Sequence, residues 1–324
     1  MDENIIIESL RPNKLKEYIG QENIKKSLSV FIEAATKRND SLDHVLIHGC
    51  PGLGKTTLAN IIAHELGSSI RVTSGPAITR IGDLASILTN LEQNDCLFID
   101  EIHRLPKNIE EALYPVMEDF SLDLTIGKGP SAKNLRLDIP RFTLIGATTR
   151  IGAISSPMRD RFGVNYQLNF YADSEIEKII KRSAKILKIE ISDEAVKEIA
   201  KRSRKTPRIA NRLLARIRDF AQVKGNGKID YNIAQTTLGH LDIDKNGLDQ
   251  ADRKIITVIG EKFNGGPVGL STIAAATNEE RETLEGVIEP YLLQLGLIVR
   301  TPQGRKITPK ANEYLNIKFR NTLL

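Results

Sequence analysis

The sequence predicts an α/β core built on a parallel sheet, followed by a small helical domain and a winged helix. Three observations point there. Between residues 41 and 170, short apolar runs alternate with helical periodicity. From about Ala172 to Leu241 the strand signals vanish and only helical spacing remains. The rest of the chain reads as three helices and then two short strand-like pieces, the order of a winged helix.

In the core the apolar runs are His44–His48, Ile70–Thr73, Cys96–Ile99 and Phe142–Ala147. Continuous Ile, Leu and Val stretches bounded by Gly, Asp or Asn fit strands buried on both faces. In the helical segment, Ile176, Ile179 and Ile180 share one face, and Val196, Ile199 and Ala200 another. Thr206 is placed to cap a helix that Pro207 opens and that Ile209, Leu213 and Ile217 stripe with apolar side chains. The polar, Gly-containing IDKNGLDQAD at 243 to 252 reads as a linker. Beyond it, helices are expected at Arg253–Phe263, Ser271–Ala276 and about Glu279 to Leu293, and strands at Leu297–Thr301 and Arg305–Thr308. The expected domains are 1–171, with a hairpin inserted at about 120–140, then 172–243 and 244–324.

Composition excludes more than it assigns. The balance of 46 basic and 41 acidic residues gives a net charge of +5, too weak by itself to decide for a nucleic-acid partner. No stretch approaches the roughly 20 apolar residues of a membrane span, and the start MDENIIIESL carries acids where a secretory leader carries bases. The expectation is a cytoplasmic protein with no membrane partner. Cys50 and Cys96, without CxxC or metal-type spacing, are expected to be free thiols.

Chemistry enters at Gly49-Cys50-Pro51-Gly52-Leu53-Gly54-Lys55-Thr56, a full GxxxxGK[ST] motif between an apolar run and the helical pattern Thr57–Leu66. That spacing makes a phosphate-binding loop. Its backbone amides and the helix N-terminus face the phosphates, Lys55 reaches the β- and γ-phosphates, and the Thr56 hydroxyl suits Mg2+. Cys96–Ile99 then ends in Asp100 and Glu101, acids at the C-terminal end of a strand, where open α/β sheets bind ligands. Asp100 is expected to hold the magnesium, and Glu101 to polarise the water that attacks the γ-phosphate. Arg161, within RDRFG at 159 to 163, is the candidate finger that reaches a neighbouring subunit's nucleotide. Thr148 and Thr149 close the preceding strand, where a hydroxyl can report the γ-phosphate. His103 lies just beyond the acids, is given no catalytic role, and fits a surface or a structural histidine equally. His44 and His48 are read as structural, since no third ligand stands at metal-type spacing.

Taken with GATTR at 146 to 150 and TPRIANR at 206 to 212, these motifs resemble the AAA+ superfamily and, within it, the RuvB family. LRP at 10 to 12, EYIGQ at 17 to 21, DEIHRL at 100 to 105, YPVMEDF at 114 to 120 and VRTPQGR at 299 to 305 are similar to that family too. The resemblance spans essentially the whole chain. It implies a large ATPase domain, a helical lid and a winged-helix head, assembled as a homo-hexameric ring around duplex DNA. The implied work is ATP-driven branch migration of four-way junctions in recombination and repair, with a RuvA-type junction-binding partner and a RuvC-type resolvase in the same complex. By motif matching, Leu10, Arg11, Gly52, Lys55, Thr56, Thr57, the backbone of Glu118, Asp119 and Phe120, Tyr171 and Arg208 would contact ATP or ADP. Arg161 would be the trans finger and Thr148 the first sensor.

The same resemblance implies that a hairpin grips the RuvA-type partner. Leu122, Leu124 and Ile126 alternate on one arm and Leu135, Leu137 and Ile139 on the other, around a tip at Gly127–Asn134. This pattern fits an exposed contact strip, and equally two strands packed on their own sheet.

For DNA, charge favours the wing. The third helix of the head carries Glu279, Glu280, Glu282, Glu285 and Glu289 against Arg281 alone. That many carboxylates facing phosphates would be unfavourable. Basic residues instead dominate from Arg300 to Arg320, a pattern that also suits a solvated tail. The family resemblance assigns the duplex contacts to Arg300 and Arg305. Gln303 stands where the family's TPRGR pattern has arginine, so one phosphate contact is expected to be missing. With no side chain set for base readout, binding should be sequence-independent. A clamp-loader-like DNA-loading switch is the main alternative; a nucleotide-binding scaffold without hydrolysis fits less well, because Lys55, Asp100, Glu101 and Arg161 are all present.

Overall fold

In chain order the first part of the molecule runs α1 (Glu22–Arg38), β1 (Val45–His48), α2 (Lys55–Leu66), β2 (Ile70–Ser74), α3 (Ile81–Leu88), β3 (Cys96–Asp100), α4 (Lys107–Glu118), β4 (Ser121–Ile126), β5 (Lys133–Asp138), β6 (Thr143–Thr148), α5 (Ser156–Asp160) and β7 (Val164–Gln167). The computed structural model describes residues 8–126 and 133–315. It divides into two compact units, one of Arg11–Gly49 with Leu53–Asn169, the other, within the described residues, of 8–10, 50–52 and 170–315.

Five strands of the first unit pair in parallel in the order β2-β3-β6-β1-β7. Every residue of β6 is buried, and β1 and β3 are buried except at their last residues. This follows from their unbroken apolar runs, whose two faces both meet helices. Leu46, Leu97, Ile99 and Leu144 pack with Leu113, Val116 and Phe162 in one core. Two expectations are corrected at the sheet's margins. The Ile70–Thr73 run is an edge strand with Val72 60% exposed, rather than a strand buried on both faces. The opposite edge is β7, a fifth strand with no unbroken apolar run, because Val-Asn-Tyr-Gln alternates polar and apolar residues on a half-exposed surface.

β4 and β5 form a separate antiparallel hairpin that pairs Leu122 with Leu137 and Leu124 with Leu135. Its apolar strip does not stand wholly free. Leu122 and Ile139 are buried, Leu124 and Leu137 pack against the core of the unit, and Leu135 alone among these five is strongly exposed, at 43%. The expected exposed strip is thus divided, its base being core. Residues 127–132 of the expected tip, and the side chain of Ile126, lie outside the described residues.

The second unit contains α6 (Asp173–Ile186), α7 (Asp193–Arg202), α8 (Pro207–Lys224), α9 (Tyr231–His240), α10 (Gln250–Thr257), α11 (Leu270–Thr277), α12 (Arg281–Thr283), α13 (Glu289–Gln294), β8 (Ile298–Thr301), β9 (Gly304–Ile307) and α14 (Pro309–Leu315). A π-helical turn over Val258–Lys262 extends α10, and another over Leu284–Ile288 joins α12 to α13. Leu270, Ile273, Leu284, Ile288, Leu292 and Ile298 build the core of the winged-helix segment. Thr206 takes the N-cap position of α8, but its hydroxyl donates to the Ser203 carbonyl (3.2 Å) instead of capping the first turn. A short helix, α14, follows the wing where none was anticipated. Among the described residues no helix is long and apolar enough to cross a membrane.

The expected linker is not loose. Leu248 is fully buried, Asp249 caps α10, and Arg204 donates to Asp249 (2.6 Å) and Asp252 (2.5 Å) while its guanidinium lies over the Tyr291 ring. Burial pushes the Asp252 carboxyl up to about 7, with Arg204 pulling it down and Asp249 pushing it further up. An acid raised on folding binds its proton more tightly in the folded state, so stability falls as pH rises from about 4 to 7. The maximal slope for one such group is about 1.4 kcal/mol per pH unit. Unfolding midpoints of wild type and Asp252→Asn, compared from pH 5 to 8, should therefore differ in slope, with the wild type gaining stability towards low pH. Parallel curves would show that Asp252 is not the titrating group.

Candidate functional site

The phosphate loop depends on glycine where the backbone turns left-handed. Gly52 (φ 81°) and Gly54 (φ 101°) adopt conformations that side-chain-bearing residues rarely take. Gly54 then occupies the N-cap position of α2 and aims the first-turn amides into the loop. Lys55 is buried, and its Nζ donates to the Gly49 carbonyl at 2.9 Å; Thr56 and Thr57 are half-buried behind it. The Gly49 amide donates to the Thr148 carbonyl, tying the loop to the end of β6.

At the end of β3 the chain turns sharply. Glu101 has φ 48°, and Gly75 lies so close to it that an added Cβ would approach the Glu101 carbonyl to 2.5 Å. This packing presents the Glu101 side chain to two hydrogen-bond donors. Thr149 Oγ1 donates at 3.0 Å, and His103 Nδ1 lies 3.1 Å from the same Oε2. Burial pushes the Glu101 carboxyl up, but the bonds from His103 and Thr149 outweigh it and leave the group below the usual range. Asp100 goes the other way, raised by burial although Lys55 opposes the shift. Two adjacent acids therefore sit in different environments, a common way to divide roles between carboxyls.

His103 is the residue that motif reasoning passed over. It returns to the site on a short turn, Ile102–Arg104, and contacts both Glu101 and the hydroxyl of Thr148 (2.9 Å). Thr148 is fully buried, and its oxygen also accepts from the Arg150 amide (2.9 Å). Of the two threonines, Thr149 is the one whose hydroxyl meets Glu101. His44 is a buried core residue; its Nδ1 accepts from the Leu144 amide, its Nε2 lies 3.1 Å from the Met117 carbonyl, and burial lowers its pKa. Burial also lowers His48, with Lys55 adding to the shift. Both cysteines are free, and burial pushes the Cys96 thiol up to about 12, which makes it inert.

Arg161 follows α5, whose first turn is capped by Ser155. Its guanidinium rests on the Tyr114 ring (4.3 Å to the centroid), pairs with Glu118 (3.2 Å) and donates to the Pro157 carbonyl (2.7 Å). Glu118 and Asp119 are exposed, and Phe120 turns with φ 52°, edge-on to Phe142.

In the second unit, Gly52 neighbours Arg208. The Arg208 amide donates to the Gly52 carbonyl (3.3 Å), while its side chain is exposed. Tyr171 is buried, its amide donating to the Lys205 carbonyl, and Leu10 is buried with its carbonyl accepting from Arg182. Arg11 is half-buried in the first unit.

On the wing, Arg300 and Arg305 stand directly opposite each other across β8 and β9, and both are anchored on Glu289. Glu289 is only 4% exposed, so one of the five glutamates expected to face outward from the third helix points inward instead. Glu280 and Glu282 are exposed, and Glu279 and Glu285 half-buried. Gln303 is exposed at the turn of the wing.

Comparison with known proteins adds a consistent result along the chain. Residues 10–168 match the model of the Holliday junction DNA helicase RuvB P-loop domain, 171–244 the RuvB AAA lid domain and 245–316 the RuvB C-terminal winged helix domain. Among solved structures, the chain is similar to the Thermotoga maritima RuvB Holliday junction branch migration motor (52% identity, TM-score 0.89, covering 96% of this chain and 100% of that one). Two single-residue variants of the same Thermotoga protein match at 52% identity, with TM-scores of 0.89 and 0.90, over 96% of this chain and 99% of theirs. A phosphate loop, an acidic strand end and a winged-helix head, in the order that these models share, place the chain in the RuvB family of nucleotide-binding P-loop ATPases.

Proposed function

We propose that the chain is the ATP-hydrolysing motor subunit of a Holliday-junction branch-migration machine, working as a homo-hexameric ring on duplex DNA. The observation that carries this reading is that the whole ATPase set and the wing arginines occur on one chain that matches the Thermotoga motor over 96% of its length. The domain limits at residues 171 and 243, and a cytoplasmic location, go with it.

In this reading the amides of Gly52–Thr57 and the Lys55 ammonium hold the β- and γ-phosphates, and Leu10, Arg11, Tyr171 and Arg208 contact the rest of ATP or ADP. Thr56 and Asp100 offer a hydroxyl and a carboxylate, a donor set that fits Mg2+ shared with the phosphates. Bound there, the ion would offset phosphate charge. Glu101, kept ionised by His103 and Thr149, orients water for in-line attack. Thr148, with Thr149 beside it, senses the γ-phosphate. In a ring, Arg161 reaches the neighbour's nucleotide, with the Glu118–Phe120 backbone beside it. Arg300 and Arg305 grip the DNA backbone without reading sequence, and the hairpin from Leu122 to Ile139 contacts a RuvA-type partner, with Leu135 its strongly exposed apolar residue among those described. A RuvC-type resolvase joins the same complex.

The test is dissociation of a synthetic four-way junction by this protein with a RuvA-type partner. ATP-dependent conversion of the junction into duplexes is the expected result. ATP consumption on a junction that never moves would favour the DNA-loading switch instead.

A further inference from the structure

Glu289 opens α13 as a buried carboxylate on which two arginines converge. Its Oε1 accepts from Arg300 Nε (2.9 Å) and Arg305 Nε (2.8 Å), and its Oε2 from Arg300 Nη2 (2.9 Å) and Arg305 Nη2 (3.1 Å). Each guanidinium thus spends the same edge on the same carboxylate. The arginines are cross-strand partners, a placement that repels like charges when nothing lies between them. The wing that carries them is itself fixed. Arg305 exchanges both backbone hydrogen bonds with Val268 (2.8 and 2.9 Å). A Cβ on Gly266 would approach the Arg305 carbonyl to 2.4 Å, and one on Gly304 the Val268 carbonyl to 2.4 Å, so backbone meets backbone on both sides.

We propose that Glu289 is a positioning residue for DNA binding, holding Arg300 and Arg305 as a preordered pair whose Nη1 edges face the duplex phosphates. The proposal rests on the wing being the DNA contact. Arginine is a long, flexible side chain whose ordering weakens binding when it must happen on contact. Fixing two of them in advance removes that loss. Charge alone predicts the opposite sign, because removing a carboxylate makes the wing more positive and should strengthen attraction to phosphate. The sign of one substitution therefore separates the two effects.

The experiment measures binding of the full-length protein to a random-sequence duplex by fluorescence anisotropy, over a series of salt concentrations and with a non-hydrolysable ATP analogue. Wild type, Glu289→Gln, Arg300→Ala, Arg305→Ala, the double arginine variant and the triple variant are compared, with thermal unfolding of each. Glu289→Gln should weaken binding about tenfold with an unchanged salt slope, since the arginines still meet phosphate but no longer in advance. Each arginine variant should reduce the slope by about 1. In the double arginine background Glu289→Gln should have no further effect on binding, as required of a residue that acts only through those side chains. Binding by Glu289→Gln equal to or tighter than wild type overturns the proposal. So does an equal loss in the double arginine background, the outcome expected of a residue that merely supports the fold. If the arginine variants bind like wild type, the wing reading itself fails, and the positioning role fails with it.

Discussion

Arg161→Ala is expected to lower ATP turnover by the assembled ring by about 10³-fold while leaving nucleotide affinity nearly unchanged. An arginine finger supplied in trans is worth about 10³–10⁵ in rate, because it stabilises charge that develops only in the transition state. The surroundings of Arg161 suit that task. The guanidinium is held on the Tyr114 ring and on Glu118, with side chains 22% and 56% exposed for the arginine and the glutamate, so it is oriented before any neighbour arrives. Losing those contacts should cost the isolated fold little, since cation–π and partly exposed ion pairs each contribute about 1 kcal/mol or less. Mixing the variant with excess Lys55→Ala protein separates cis from trans. A finger that acts across the interface should restore turnover in mixed rings, where intact Arg161 from a Lys55→Ala neighbour faces an intact phosphate loop. A variant that hydrolyses ATP at the wild-type rate on DNA would remove Arg161 from the mechanism.

What could be read before folding follows from how local each signal is. The phosphate loop is a short, fixed spacing whose job is done by its own backbone, and it stands where the motif put it, between β1 and α2. The strands β1, β3 and β6 were visible because burial on both faces leaves an unbroken apolar run. β7 was not, because an edge strand needs only alternate apolar residues, and four residues are too few to establish alternation. His103 lies within DEIHRL, but that motif assigns it no contact with Glu101. Its relation to Glu101 arises only when a short turn folds it back, and Thr149 joins that cluster from just past the end of β6. Glu289 was misread for a different reason. Counted as one of a run of acids it looked repulsive to DNA, yet it lies between Ile288 and Leu292 on the apolar side of its helix, a position where an unpaired carboxylate is rarely tolerated. That position was the available clue that it had cationic partners. The polar segment at 243 to 252 showed a boundary but not its anchoring, because the pairing of Asp249 and Asp252 with Arg204 joins residues more than forty positions apart.

Glu101→Gln is expected to lower ATP turnover by about 10²–10⁴-fold and to stop junction movement, with ATP binding preserved. Positioned acid–base groups contribute rate in that range, and glutamine keeps the size of the side chain while losing its basicity. The sign of the effect rests on protonation. Burial raises the Glu101 carboxyl, but His103 and Thr149 bring it below the usual range, so at neutral pH the wild-type group is an ionised acceptor. In the variant the amide can still accept from Thr149, which preserves the turn at Glu101 and the packing on Gly75. The loss should therefore appear in kcat with little change in KM, because the interaction removed matters only when water attacks. His103→Ala should reproduce part of that loss through a displaced carboxylate, and adding Glu101→Gln to it should lower the rate no further than Glu101→Gln alone. Additive losses would show that His103 acts on the reaction independently of Glu101. A Glu101→Gln protein that still turned over ATP within about tenfold of wild type would assign water activation to another group, with Asp100 the next carboxyl at the strand end.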